Sequence, residues 1–379
     1  MWCNDSVTDE PVTLASNVPG AEFPRWGSGG LEFRIHAPAA HQVNLQLPGD
    51  SLGTGSVPFS PQADGFWHAA IADPAAGFHY YQIEIDGLTT NDPGSRTYSG
   101  YGRSVSGVEV PDPLEPFELR DVPHGELRSL WFHSTVTRSW RELWVWTPPG
   151  YDDSPDLRYP VLYLQHGSGE DETSWSRQGR AGIIMDNLLA DGAVRPMLVV
   201  MGSGYAGAPP SMPMSASDST MIIDGLQRLL TDDVITVVDQ HYRTIADRRQ
   251  RALAGLSMGG RQALIIGLRR PDLFGWLGGL SPAIWLSGTT DAGWSVDPGW
   301  VDDAVSAAGG VRPQQVFLSA GTREERFVTA VEQLSGSLAA AGIDYNSYVS
   351  PGTAHEWTSW RRSLTEMAPR LFRDPRTGS

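Results

Sequence analysis

Ser257 lies in Gly255-Leu256-Ser257-Met258-Gly259, a G-x-S-x-G pentapeptide. A serine hydroxyl is a weak nucleophile, so it attacks a carbonyl only when exposed on a sharp turn and served by a base. The flanking glycines permit such a turn. Downstream of Ser257 the chain carries one histidine, His355, in the loop Pro351-Gly-Thr-Ala-His355. Between the two, Gln315–Ala320 reads as a buried strand and Gly321-Thr-Arg-Glu-Glu325 as the loop at its C-terminal end. Glu324, or Glu325 beside it, can orient and stabilise an imidazolium. Nucleophile, base and acid in that arrangement point to acyl transfer through an acyl-serine.

The pattern matches the nucleophile elbow of α/β-hydrolases, a strand–turn–helix in which the partners follow in the order Ser, Asp or Glu, His. Apolar Ala252-Leu-Ala254 precedes the elbow, and Gly260–Arg270 reads as the helix after it, with Pro271 beyond its end. In such a fold two backbone N–H groups bind the oxyanion: that of the residue after the nucleophile and one from the loop after an earlier strand. Met258 is the expected first donor. Tyr159–Gln165 is an apolar strand ending at His166-Gly167, so Gly167 or Ser168 is the expected second. His166 is expected to hold that loop rather than to move protons, because His355 already fills the base position.

Two patterns of periodicity divide the chain. From about residue 20 to 110, short segments such as Leu31–His36, Gln42–Leu47, Phe66–Ile71 and Tyr80–Ile85 alternate apolar and polar residues between turns. That spacing predicts an all-β, immunoglobulin-like sandwich over 21–110, after an N-terminal tail, 1–20. A Pro- and acid-rich stretch, 111–124, reads as a semi-rigid linker. Over 125–375, strand candidates at 128–136, 141–147, 160–165, 196–201, 251–256, 314–320 and 345–350 alternate with helical candidates at 180–190, 221–241, 260–270 and 325–342. Such alternation implies a mostly parallel sheet flanked by helices, an α/β fold.

The charge balance of 28 basic against 44 acidic residues gives −16, which argues against nucleic-acid or anionic-membrane partners. A single cysteine, Cys3, leaves no intramolecular disulfide and no cysteine-based metal cluster. No apolar run approaches the ~20 residues of a membrane span. The first residues carry no basic n-region or apolar h-region, so the expected location is cytoplasmic, or secreted if a signal peptide was removed. The oligomeric state is not legible. Fourteen tryptophans are many for 379 residues, and exposed ones suit stacking on sugar or aryl rings. Trp175, Tyr205, Trp285 and Trp357 are candidate substrate contacts on loops near the motifs. Met212 and Met214, in the long loop 202–219, are candidate acyl-site residues.

Several stretches carry a family likeness: Trp144–Tyr151, His166–Trp175, Asp186–Gly192 with Arg195–Val200, Gly255–Gly260 and Gly352–Trp360. They resemble carbohydrate esterase family one and its esterase-D and siderophore-esterase relatives. The N-terminal part resembles the early-set, glycogen-binding-module-like sandwich found beside glycoside-processing enzymes. The resemblance implies a metal-free, cofactor-free serine esterase cutting feruloyl or acetyl side groups from xylan, with a polysaccharide or oligosaccharide ester as substrate. It implies Ser257 as nucleophile, His355 as base, and Gly167 or Ser168 with Met258 as oxyanion donors. The acid loop departs from the feruloyl pattern, which has Asp after Gly-Thr-x. Here Glu324 follows Arg323, as in siderophore-trilactone esterases, so a small-lactone esterase is the alternative, ahead of an acyltransferase or a non-catalytic sugar-binding scaffold. The acidic substrates of those relatives imply basic pocket residues, for which Arg323, Arg177 and Arg180 are the candidates.

Overall fold

The structure is a computed structural model that describes residues 22–27, 30–48, 54–111, 115, 117–207, 216–286, 295–297 and 299–373. The tail 1–20, Cys3, Met212 and Met214 lie outside the described residues. The chain divides into two compact units. The first runs to Tyr98 and resumes over Ser104–Arg120; the second comprises Ser99–Arg103 and the chain from Asp121 onward.

The first unit is built from ten short strands: β1 (Arg25–Gly27), β2 (Gly30–His36), β3 (Val43–Pro48), β4 (Thr54–Pro58), β5 (Ser60–Pro61), β6 (Phe66–Ile71), β7 (Gly77–Ile85), β8 (Leu88–Thr90), β9 (Thr97–Gly100) and β10 (Arg103–Val110). They form two sheets, β1-β2-β6-β5 and β4-β3-β7-β10-β9, with β8 paired to β7. The alternation read from sequence fixes which side chains turn inward. Leu31, Phe33 and Ile35 of β2 meet Val43 and Leu45 of β3 and Tyr81 and Ile83 of β7 in one core. Within the stretch expected as a semi-rigid linker, Phe117 is buried.

The second unit holds an eight-stranded sheet. Its strands are β11 (Glu126–Ser134), β12 (Ser139–Thr147), β13 (Val161–Gln165), β14 (Leu198–Gly202), β15 (Arg251–Leu256), β16 (Trp276–Leu280), a short pair β17 (Trp285–Leu286) and β18 (Ser295–Val296) outside the sheet, β19 (Gln315–Gly321) and β20 (Tyr345–Ser350). The sheet order is β11-β12-β14-β13-β15-β16-β19-β20. It is parallel from β14 to β20 and antiparallel at β11 and β12. Strands β13, β14, β15 and β16 are buried along their whole length, which is why β13, β14 and β15 read as unbroken apolar runs. The helices are α1 (Ala181–Ala190), α2 (Ala216–Arg228), α3 (Ile235–His241), α4 (Met258–Arg269), α5 (Trp300–Ala307), α6 (Glu325–Ala340) and α7 (Trp357–Met367). The main core fills the space between the sheet and α2–α6, whereas α1 and α7 pack together on the opposite face. This is the α/β-hydrolase architecture.

Three elements differ from the sequence expectation. The helix expected over 221–241 is broken by a π-helical turn at Leu229–Val234. There the buried Asp233 carboxylate accepts from the Ser134 and Thr135 hydroxyls and from the Val136 N–H. Strand β16 is masked in the sequence by its two glycines, which weaken strand propensity. Packing demands them: a Cβ on Gly278 would stand 2.4 Å from the Met367 sulfur, and one on Gly279 2.8 Å from Leu264 Cδ1. Helix α7 is masked because its buried face mixes Trp357 and Trp360 with Ser359, Arg361 and Ser363.

Candidate active site

Strand β15 delivers Ser257 at the C-terminal edge of the parallel sheet, where open α/β sheets gather their ligands. Its backbone is strained, with φ 51° and ψ −115°, a conformation L-residues avoid and functional turns retain. Both glycines of the pentapeptide are required by contact. A Cβ on Gly255 would lie 2.5 Å from the Gly259 carbonyl carbon, and one on Gly259 2.4 Å from the His166 oxygen. The elbow is pinned by the Ser257 N–H, which donates to the Leu280 carbonyl at 2.9 Å.

His355 and Glu324 complete a hydrogen-bonded series with this serine. His355 Nε2 is 3.0 Å from Ser257 Oγ, and His355 Nδ1 is 2.6 Å from Glu324 Oε1. The Glu324 side chain is 1% exposed. Its other oxygen accepts from Ser281 Oγ at 2.8 Å and from the Gly321 N–H at 2.5 Å, so the buried carboxylate is fully hydrogen-bonded. Glu325 is instead an exposed residue of the first turn of α6. The imidazole lies against the Phe327 ring, 4.4 Å between centroids at 21°, and meets the edge of Trp360 at 4.9 Å. A plane held on two sides and tethered through Nδ1 keeps Nε2 aimed at Oγ.

The loop after β13 packs against the elbow. A Cβ on Gly167 would be 2.6 Å from Leu256 Cδ1 and 3.6 Å from Ser257 Cβ. Its backbone groups are mostly committed. The Gly167 N–H donates to Glu170 Oε2 at 2.9 Å, and the Gly169 N–H to Tyr205 Oη at 3.1 Å. In this arrangement the Gly167 N–H is engaged by the Glu170 carboxylate. The Ser168 N–H has no acceptor among the described residues. Met258 opens α4, where backbone N–H groups lack intrahelical acceptors and the helix dipole favours negative charge.

His166 ties this loop to the next one. Its Nδ1–H donates to the Gly167 carbonyl at 2.7 Å, while Nε2 accepts from the Gly204 N–H at 2.8 Å. These bonds use the neutral ring, and burial pushes its pKa down to about 4, only partly offset by the Gly167 carbonyl and the Asp171 charge. The unfolded chain, titrating near 6.5, takes up the proton first. Stability is thus full above pH 6.5 and is lost as pH falls towards 4, by up to about 3 kcal/mol from this ring. Urea unfolding of wild type and His166→Gln across that range checks it: the wild type loses stability more steeply.

The proposed aromatic contacts fall into three groups. Trp175 and Trp357 are buried and pack edge to face at 5.4 Å, and the Trp175 indole donates to the Gln165 carbonyl at 2.9 Å. Both are core, brought near the motifs in sequence by the turn they stabilise. Tyr205 is buried as a loop anchor, its hydroxyl used by Gly169. Trp285, also buried, is nearest the chemistry: it meets Phe327 at 5.0 Å, and Phe327 stacks on His355. Arg323 is exposed and, among the described residues, enters the loop only through its backbone N–H to the Thr353 carbonyl, 2.9 Å. Arg177 is exposed and Arg180 buried. Sequence reasoning missed Ser281, Glu170 and the role of Phe327. The last was legible only as one residue of the apolar stripe of α6, because a core face and a histidine support carry the same pattern.

The Esterase family model matches residues 134–371 of the chain. The chain belongs to the Esterase family. It is 36% identical over 377 residues to an endo-1,4-beta-xylanase/feruloyl esterase of Xylanibacter ruminicola, covering 98% of this chain and 48% of that enzyme. The chain thus spans about half the length of that relative. A ferulic acid esterase of Anaeromyces mucronatus shares the fold with a TM-score of 0.60 at 23% identity, over 69% of this chain and 96% of the other. The enterochelin esterase of Shigella flexneri does so with a TM-score of 0.64 at 16% identity, over 90% and 92%.

Proposed function

We propose that the esterase removes feruloyl or acetyl groups from xylan by way of an acyl-serine. The observation that carries the reaction class is the series Glu324–His355–Ser257 on the strained elbow, and in this reading the Ser168 and Met258 amides are the oxyanion donors. His355 Nε2 takes the proton from Ser257 Oγ as Oγ bonds to the acyl carbon. The resulting oxyanion is held by the two N–H groups. On collapse, the bond to the sugar oxygen breaks and His355 returns its proton to that oxygen. Water, deprotonated by His355, then attacks the acyl-serine; the acid leaves and Ser257 regains its proton. Glu324 keeps the proton of the neutral ring on Nδ1 and stabilises the imidazolium.

The substrate class is supported by the near full-length alignment to a relative named xylanase/feruloyl esterase, which includes the sandwich unit. The aromatic wall of Phe327 and Trp285 beside His355 suits an aryl acyl group. The Glu at position 324, and the fold likeness to enterochelin esterase over most of the chain, favour a catecholate trilactone as the second reading. A panel of methyl ferulate, acetylated xylan, 4-nitrophenyl acetate and a catecholate trilactone separates them. Cleavage of ferulate or acetyl xylan is the expected result; cleavage of the trilactone alone would replace this reading with the second.

A further inference from the structure

The hairpin of β11 and β12 carries an aromatic face that the catalytic machinery does not use. Trp131 is 58% exposed and Trp140 67% exposed, whereas the aromatic residues around the catalytic centre are largely covered. The register pairs Ser129 with Trp144, Trp131 with Glu142, and His133 with Trp140. These six side chains share one face, because alternate residues of a strand point the same way. Leu130, Phe132, Leu143 and Val145 take the other face, against the main core. Each tryptophan thus stands opposite a polar residue, and Trp131 lies diagonally between Trp140 and the half-buried Trp144. Diagonal neighbours lie about 7–8 Å apart, within reach for large rings. The platform is held in place: the His133 ring meets Trp140 edge to face at 5.7 Å, and Ser129 Oγ donates to Glu142 Oε1 at 2.5 Å.

The pairing also fixes where the platform stands relative to Ser257. Gly255 pairs with Gln165, Tyr163 with Val200, and Gly202 with Leu143. Counting along these strands puts Leu143, Gly202, Gln165 and Gly255 in one row across the sheet. Two residues further toward the active-site edge, Ser257 falls level with Arg141 and its partner Phe132. Trp131 and Trp140 are therefore within one residue of the level of the nucleophile. They lie three to four strands away, about 14–19 Å at the usual strand spacing.

We propose that Trp131 and Trp140 form a second sugar-binding site on the hydrolase unit, which seats the unesterified backbone of a neutral polysaccharide whose esterified residue lies at Ser257. The rings offer flat apolar surface for the C–H faces of sugar rings, and the interleaved Glu142, Ser129 and His133 offer partners for their hydroxyls. None of the six is Lys or Arg, so the face lacks the cation that an anionic chain would need. The site continues the active-site edge of the same sheet, so one chain can occupy both. The inference rests on the polysaccharide reading of the substrate.

The test uses the whole chain and unesterified xylohexaose as probe. In the variant W131A/W140A, xylohexaose affinity by calorimetry is expected to fall about tenfold or more. kcat/KM on polymeric esterified xylan should fall comparably, with 4-nitrophenyl acetate hydrolysis unchanged. The variant W131F/W140F, which keeps rings at both positions, should retain most of the affinity. Unchanged xylohexaose affinity in W131A/W140A would overturn the site. So would an equal loss on 4-nitrophenyl acetate, or a wild-type dimer that the substitutions dissociate. A wild type that cleaves small esters but binds no xylohexaose also removes this site while leaving the esterase reading standing. A wild type inert on every ester removes that reading instead.

Discussion

Ser257→Ala is expected to lower kcat on any accepted ester by on the order of 10⁴–10⁶ while the protein stays folded. The substitution deletes only Oγ, the atom 3.0 Å from His355 Nε2, and leaves the hydrogen bonds of the elbow backbone in place. Residual turnover should come from the Ser168 and Met258 amides and from binding alone. Steady-state kinetics with a thermal melt checks both halves of the statement. Near-normal activity in folded Ser257→Ala would remove the serine from the mechanism. Adding His355→Ala to that variant should cost little more, because nucleophile and base act as one unit and their effects are not additive.

The second large effect is at Glu324. Glu324→Gln is expected to lower kcat by roughly 10³–10⁴ with KM little changed. The carboxylate accepts from three donors: His355 Nδ1–H, Ser281 Oγ–H and the Gly321 N–H. An amide offers one acceptor oxygen and one donor nitrogen, so one side must fail. If the nitrogen faces His355, the ring proton moves to Nε2 and Ser257 loses its base. If it faces Gly321, two donors meet inside the protein and the acid loop is pushed apart. Glu324→Asp keeps the charge but falls one methylene short, so it should lose less than the amide. Wild-type kcat in Glu324→Gln would show that His355 is oriented by Phe327 and Trp360 alone.

Ser257, His355 and the chain order of the hydrogen-bonded series were legible in the sequence. Ser257 stands in a pentapeptide that fits one backbone geometry, and a lone downstream histidine leaves little choice of base. Strands β13, β14 and β15 were legible because burial on both faces makes them continuously apolar, and the sandwich because burial on one face makes its strands alternate. Tertiary structure decided everything that depends on distance between segments far apart in the chain. It set Glu324 rather than Glu325 on His355, because only the former precedes the α6 helix and turns inward. It placed Ser281, 43 residues earlier in the chain, behind the acid. It also sorted the tryptophans: Trp175 and Trp357 into the core, Trp131 and Trp140 onto the surface. Side-chain type states what a residue can contact, and only packing states what is there to be contacted.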